Sequence, residues 1–386
     1  MKSNRKKYTK RERVAEALNH REPDRVPCDL TIEPGIYRKL CEYLSLPFKP
    51  NWWDDWNHAY PDPLVLDKLG VDVYHLLLKE TPAGFTIEKN TFRDAWGVRK
   101  DKLQLPEGGS MYTLVDYPLK DAQSVADIES YPWPKPEEVV DVSGLEAEAR
   151  TLYNETDFAL TATFGGNVFE RAHYLRGMET FLVDLMVEPE LAGAVMDRIL
   201  GIQMEVDRLV LRACGKYLTY MRFRGEDLGT QTGQLISTEL FLGMVRPRLE
   251  KEWKTAKKRF KEQNPDGKIS VHSCGAVFDL VGHFIDMGAD ILNPVQSSAH
   301  GMNTKALKER YGSRISFHGA IDTQNVLHAG TQEEVRDEVR KRILDLAPGG
   351  GYICAPSHNI QTGMPVENVM AMYEAIREFG LYPLLA

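Results

Sequence analysis

The sequence predicts an α/β protein, a (β/α)8 TIM barrel with an antiparallel insertion after the second strand. From residue 146 onward, short apolar runs alternate with amphipathic stretches of helical period. Strands that alternate with helices pair in parallel through crossovers. Together with two runs nearer the N-terminus, these strands make the eight of a closed barrel. Between about residues 84 and 140 the rhythm breaks, and short β-rich runs with turn residues replace it. Residues 1–386 are read as one domain carrying that insertion.

Taken in order, Thr9–His20 opens as a helix: Thr9 can cap it, and Val14, Ala17 and Leu18 share one face. Pro23 and Asp24 turn the chain into a first strand at Val26–Leu30. A helix is expected around Ile36–Leu44. Asn51–Pro63 reads as a loop whose Trp52, Trp53 and Trp56 pack on the core or wall a pocket. A helix ending near Gly70 leads to the second strand, Asp72–Leu78. Thr86–Lys100 and Met111–Tyr117 supply the insertion's strands, with turns at Lys89-Asn90 and Gly108-Gly109, and 130–140 is a Pro-rich linker.

Strands three to eight are expected at Phe158–Phe164, Tyr217–Phe223, Lys268–His272, Asp290–Pro294, Ile315–His318 and Tyr352–Ala355. Helices fall between them, the longest at Pro189–Ala213 and Ser237–Gln263, and Pro365–Phe379 closes the chain.

The bulk numbers exclude several classes. Hydrophobic residues are 42% and charged residues 27%, ordinary values for a globular chain. A net charge of −8 disfavours nucleic acid, and the basic run Lys2, Arg5, Lys6, Lys7, Lys10, Arg11, Arg13 reads as a solvated helix start. There is no apolar run near membrane-spanning length and no signal-peptide core. Five widely spaced cysteines do not suggest a disulfide framework, so a reducing cytoplasm is expected.

In such a barrel the chemistry sits at the C-terminal ends of the strands. Those ends carry Asp29, Thr31 and Glu33; Arg222, Arg224, Glu226 and Asp227; His272 and Cys274; Asn293 and Gln296; His318, Asp322 and Gln324; and Ser357, His358 and Asn359. A lone polar residue there can simply cap the next helix. His272 and Cys274, two apart on one strand, can face the same way, and with His358 they make a nitrogen and sulfur set suited to zinc. Against this stands a buried, satisfied histidine beside an inert thiol. Gly349-Gly350-Gly351 precedes a strand and reads as a tight loop, not a phosphate cradle.

Several runs resemble the uroporphyrinogen decarboxylase superfamily: TKRERVAEALNHREPDRVPCDL, FERAHYLRGMETFLVDL, FRGEDLGTQTGQLIS, VHSCGAVFDLVGHFIDMGADILNPVQ, FHGAIDTQ and GGGYICAPSHNIQTGMPVENVMAMYEA. The resemblance implies a TIM barrel. The decarboxylases' aspartate at the end of the second strand is missing, since Leu77, Leu78 and Lys79 stand there, and so is their Arg-rich opening. The H-x-C element, His272 and Cys274, is similar to that of the zinc-dependent corrinoid methyltransferases. Those use a cysteine as third ligand where this chain has His358.

The resemblance therefore implies a methyltransferase or demethylase moving a methyl group from a small O-, N- or S-methyl substrate to a corrinoid, carried on a partner protein. It implies Zn2+ on His272, Cys274 and His358, with Glu226 or Asp227 as a possible fourth ligand. His318 or Asp322 would position or protonate the leaving group, and Arg224, Asn293, Gln296 and Asn359 would bind substrate. It also implies a possible homodimer. Two alternatives stay open: a decarboxylase or lyase on a small acid or tetrapyrrole, using Arg222 or Arg224 with His358, and a non-catalytic corrinoid or tetrapyrrole-binding barrel.

Overall fold

The computed structural model describes residues 7–49, 51, 58–81, 86–88, 90–104 and 110–385. Lys2, Arg5 and Lys6 of the basic run, the three tryptophans of the 51–63 loop, and Lys89 and Gly108-Gly109 of the expected turns lie outside them.

Alternating apolar runs become eleven strands among the described residues. They are β1 (Val73–Leu76), β2 (Thr86–Glu88), β3 (Thr91–Arg93), β4 (Arg99–Gln104), β5 (Ser110–Asp116), β6 (Ala159–Gly166), β7 (Tyr220–Gly225), β8 (Lys268–His272), β9 (Ile291–Val295), β10 (Ser316–Ile321) and β11 (Tyr352–Pro356). Seven form one parallel sheet in the order β1-β6-β7-β8-β9-β10-β11, each step crossed by helix. Residues 26–30 join its two edges. Cys28 bridges Cys354 of β11 in parallel, and on the other side Asp72 N–H donates to the Cys28 carbonyl at 2.9 Å. Pro27 has no N–H to give, and the Cys28 and Leu30 N–H groups donate to the Asp72 and Asp29 carboxylates, so this eighth stave makes only isolated bridges.

The insertion is the antiparallel sheet β2-β3-β4-β5. Asp94 fastens it to the barrel. Its carboxylate accepts from Trp96 N and Val98 N, closing the turn after β3, and from Arg171 Nη1 at 2.7 Å. The segment read as a linker, 130–140, instead follows one short helix, Val125–Ser130, and holds another, Pro136–Val139. Ser124 caps the first with a capping box, a local signal that outweighs the prolines around it. Ser237–Gln263 is also less uniform than expected, with a π-helical turn at Phe241–Val245.

Inside the barrel the strands build two layers. The lower is an apolar plug of Val73, Ala159, Tyr220, Ile291 and Ile353, sealed from below by Val14 and Leu18 of the helix Lys10–Leu18. Side chains two apart on a strand face the same way. One step up from the plug therefore come His75, Arg222 and Asn293, with His318 beside them on β10. Polar floor thus rests on apolar plug, and the site begins there.

Candidate active site

A cavity of about 460 Å³ opens above this floor. His75, Arg222, His272, Asn293 and His318 line its base, and Tyr74, Tyr112, Glu170, Arg171, Tyr174 and His358 are among its walls. That volume is typical of a small-molecule site.

The floor is one hydrogen-bonded chain. His75 Nε2 lies 2.9 Å from both oxygens of Asp29. Asp29 Oδ2 lies 2.8 Å from His318 Nε2, His318 Nδ1 2.6 Å from Asn293 Nδ2, and Asn293 Oδ1 2.8 Å from His272 Nδ1. Asp29 is fully buried. Burial would raise its pKa, but His75 and His318 outweigh that and hold it well below the usual carboxylate range.

An ionised carboxylate only accepts. His318 Nε2 therefore carries the proton, its Nδ1 accepts from the Asn293 amide, and the amide oxygen accepts from His272 Nδ1–H. His272 Nε2 is left with a free lone pair. Burial, then the Arg222 charge, push His272 down to about 4, so it is neutral at ordinary pH.

That lone pair meets two further donors. Cys274 Sγ is 3.4 Å from His272 Nε2, and Asp227 Oδ1 is 3.6 Å from it. One ligand atom from each of Asp227, His272 and Cys274 lies within 4.8 Å of the others. Asp227 Oδ1 also accepts from Cys274 N at 2.8 Å, pinning the loop after β8 to the loop after β7. Gly275 makes that crossing possible: its φ is +82°, and a Cβ there would stand 2.4 Å from the Gly229 carbonyl carbon. Burial, then Asp227 and Glu170, raise the Cys274 thiol well above its usual value. A nitrogen, a sulfur and a carboxylate in one cluster suit zinc.

Not every expected residue joins this site. His358 faces the cavity, but it stands outside the three-residue cluster; Asp227 takes the third place because its loop is tied to Cys274. Glu226 is turned away and buried. Its oxygens accept from Val168 N at 2.5 Å and Phe169 N at 2.9 Å, capping the helix Val168–Arg176. Asp322 holds its own loop, accepting from Gln324 N and from Asn325 N and Nδ2. Gln296 spends its amide on Gly275 N and Gln231. These three are outside the cavity lining, whereas Arg224, Asn293, Asn359 and His318 are part of it.

Glu170, on the helix Val168–Arg176, had no signal in its apolar and basic neighbourhood. Burial and the nearby Asp227 raise it to about 8. It contacts Tyr174 Oη and accepts from Asn167 Nδ2 at 3.0 Å. Gly225 leaves the space, since a Cβ there would come 2.5 Å from Glu170 Oε2.

Among known proteins, a solved methyltransferase from Methanosarcina mazei shares the fold with a TM-score of 0.64. It is 18% identical and aligned over 97% of this chain and 99% of its own. The uroporphyrinogen decarboxylase of Thioalkalivibrio sulfidiphilus is 31% identical over 80 residues, and that of Alkalilimnicola ehrlichii 31% over 78. These matches span only 22% and 21% of those relatives. The family described as uroporphyrinogen decarboxylase (URO-D) matches residues 116–379, from the last strand of the insertion through the closing helix. With well over half its length matched, the chain belongs to the uroporphyrinogen decarboxylase family.

Proposed function

We propose that the chain is a methyltransferase or demethylase. It moves a methyl group from a small O-, N- or S-methyl substrate to a corrinoid carried on a partner protein, with zinc held by Asp227, His272 and Cys274. The Asp227–His272–Cys274 cluster at the edge of the cavity carries this reading. Asp227, His272 and Cys274 would hold the ion through a carboxylate oxygen, an imidazole nitrogen and a sulfur. The fold shared with a solved methyltransferase supports the reaction class. Bound there, zinc supplies Lewis acidity to the heteroatom that gives up the methyl group.

The chain's own groups orient and protonate. Asp29, through His318 and Asn293, keeps the His272 lone pair turned toward Cys274 and Asp227. His318 is committed at both nitrogens, so it is a poor source of protons. Glu170 is better placed: raised to about 8, it carries a proton at neutral pH and faces the cavity. As the bond from methyl carbon to heteroatom breaks and its electron pair stays on the heteroatom, Glu170 would give its proton to that atom; a reduced corrinoid would be the group that accepts the methyl.

Metal analysis of the purified protein is expected to give about one zinc per chain. His272→Ala and Cys274→Ser should each remove it. Methyl-corrinoid formation from a panel of methyl donors, followed by absorbance, tests the transfer. Wild-type zinc no higher than in His272→Ala would overturn the metal assignment. Failure of every donor would overturn the activity.

A further inference from the structure

We propose that the methyl donor taken by this cavity carries a carboxylate, and that Arg222 binds it. The inference rests on the reading above for the methyl group only; the anion site follows from the floor itself. Arg222 stands on β7 two residues after the plug residue Tyr220, which turns its guanidinium into the base of the cavity.

Among the described residues it has no free acceptor there. Its Nη2 lies 2.9 Å from His272 Nδ1, but that nitrogen already gives its hydrogen to Asn293 and has no lone pair in the ring plane to offer. Its Nε is buried with no partner. Asp29 spends its oxygens on His75 and His318. No ion pair among the described residues includes Arg222. A half-buried guanidinium whose buried Nε has no acceptor is costly, and its planar fork matches a carboxylate with two parallel hydrogen bonds.

The surroundings narrow the class. Asp29 already brings a negative charge to this cation, so a single negative charge suits it better than a phosphate dianion. Tyr74, Tyr112, Tyr174 and Phe223 give apolar walls. A compact acid with one ring or a short branched body fits these walls and the cavity volume. Arg224 lines the same cavity but lies within the field of Glu80, so it is a weaker candidate.

Calorimetric titration of metal-stripped protein with benzoate and with benzamide tests this. The two probes share a ring, and only one is charged. Benzoate is expected to bind at least about tenfold more tightly, and Arg222→Gln to abolish that preference. Equal binding by the wild type overturns the proposal, as does a preference that survives in Arg222→Gln. Acetate and bicarbonate form a third arm. If they bind through Arg222 as tightly as benzoate, the anion is a free one and not part of the substrate, which also overturns it. Should Arg222→Gln fail to fold, the wild-type comparison still decides. Because no metal is present, failure here leaves the zinc assignment standing, and absence of zinc leaves this result standing.

Discussion

A carboxylate that can only accept sets the direction of every proton between His75 and His272. Replacing Asp29 by Asn puts a donor where an acceptor stood, and one of its two imidazoles must then turn a lone pair inward. If His318 does so, the amide of Asn293 flips and His272 Nε2 becomes protonated. Asp29→Asn is therefore expected to weaken zinc binding by roughly tenfold or more, as second-shell changes do, measured by chelator competition. Unchanged affinity would mean that another group orients His272. Glu170→Gln is expected to slow transfer from O-methyl donors by about a hundredfold, with little effect on S-methyl donors, whose thiolate leaves without a proton. An equal loss on both would remove Glu170 from the acid role.

Much at this scale could not be read from the sequence. Asp29 and His318 are 289 residues apart, and only barrel closure brings them together. Glu226 and Asp227 are chemically near-equal neighbours. One caps a helix and the other meets His272, and the backbone of the loop that carries both decides which.

At the scale of elements, the turn after β6 shows how buried acids hold a site. Glu252 accepts from Gly166 N at 2.9 Å, just below the Glu226 cap on Val168 and Phe169. Burial raises Glu252 from about 4.5 to about 8. Below its unfolded value both states are protonated and nothing is lost. Between about 4.5 and 8 the unfolded chain gives up the proton while the folded one keeps it, so stability falls as pH rises. Glu252→Gln retains the acceptor for Gly166 and removes the charge. It should raise the melting temperature at pH 8.5 relative to wild type and leave it nearly unchanged at pH 4.5; a pH-independent difference would contradict this. The helix and strand elements themselves were mostly legible, because each carries its own period. The exceptions were short pieces whose signal is a cap, as at Ser124, or a ring interruption, as at Phe241–Val245.

For the molecule as a whole, Asp94 is the latch between insertion and barrel. Asp94→Ala leaves Arg171 buried without its counter-charge and opens the turn that Trp96 and Val98 close. Loss of one partner of a buried pair costs about 3–5 kcal/mol. Urea unfolding should show that loss, and limited proteolysis should cut the insertion first. A change under about 1 kcal/mol would mean that the sheet is held by its apolar face alone. The barrel and the insertion were both foreseeable from the rhythm of apolar runs. The insertion supplies Tyr112 to the cavity wall, and nothing in its local pattern singles that residue out.

The plug beneath the floor has a kinetic consequence. With Val14 and Leu18 sealing one end of the barrel, small substrate and any large methyl acceptor share the opposite entrance. The smaller reactant must then arrive first and its demethylated product leave last. Turnover should follow a compulsory order, and excess acceptor should slow the reaction by trapping whatever lies beneath it.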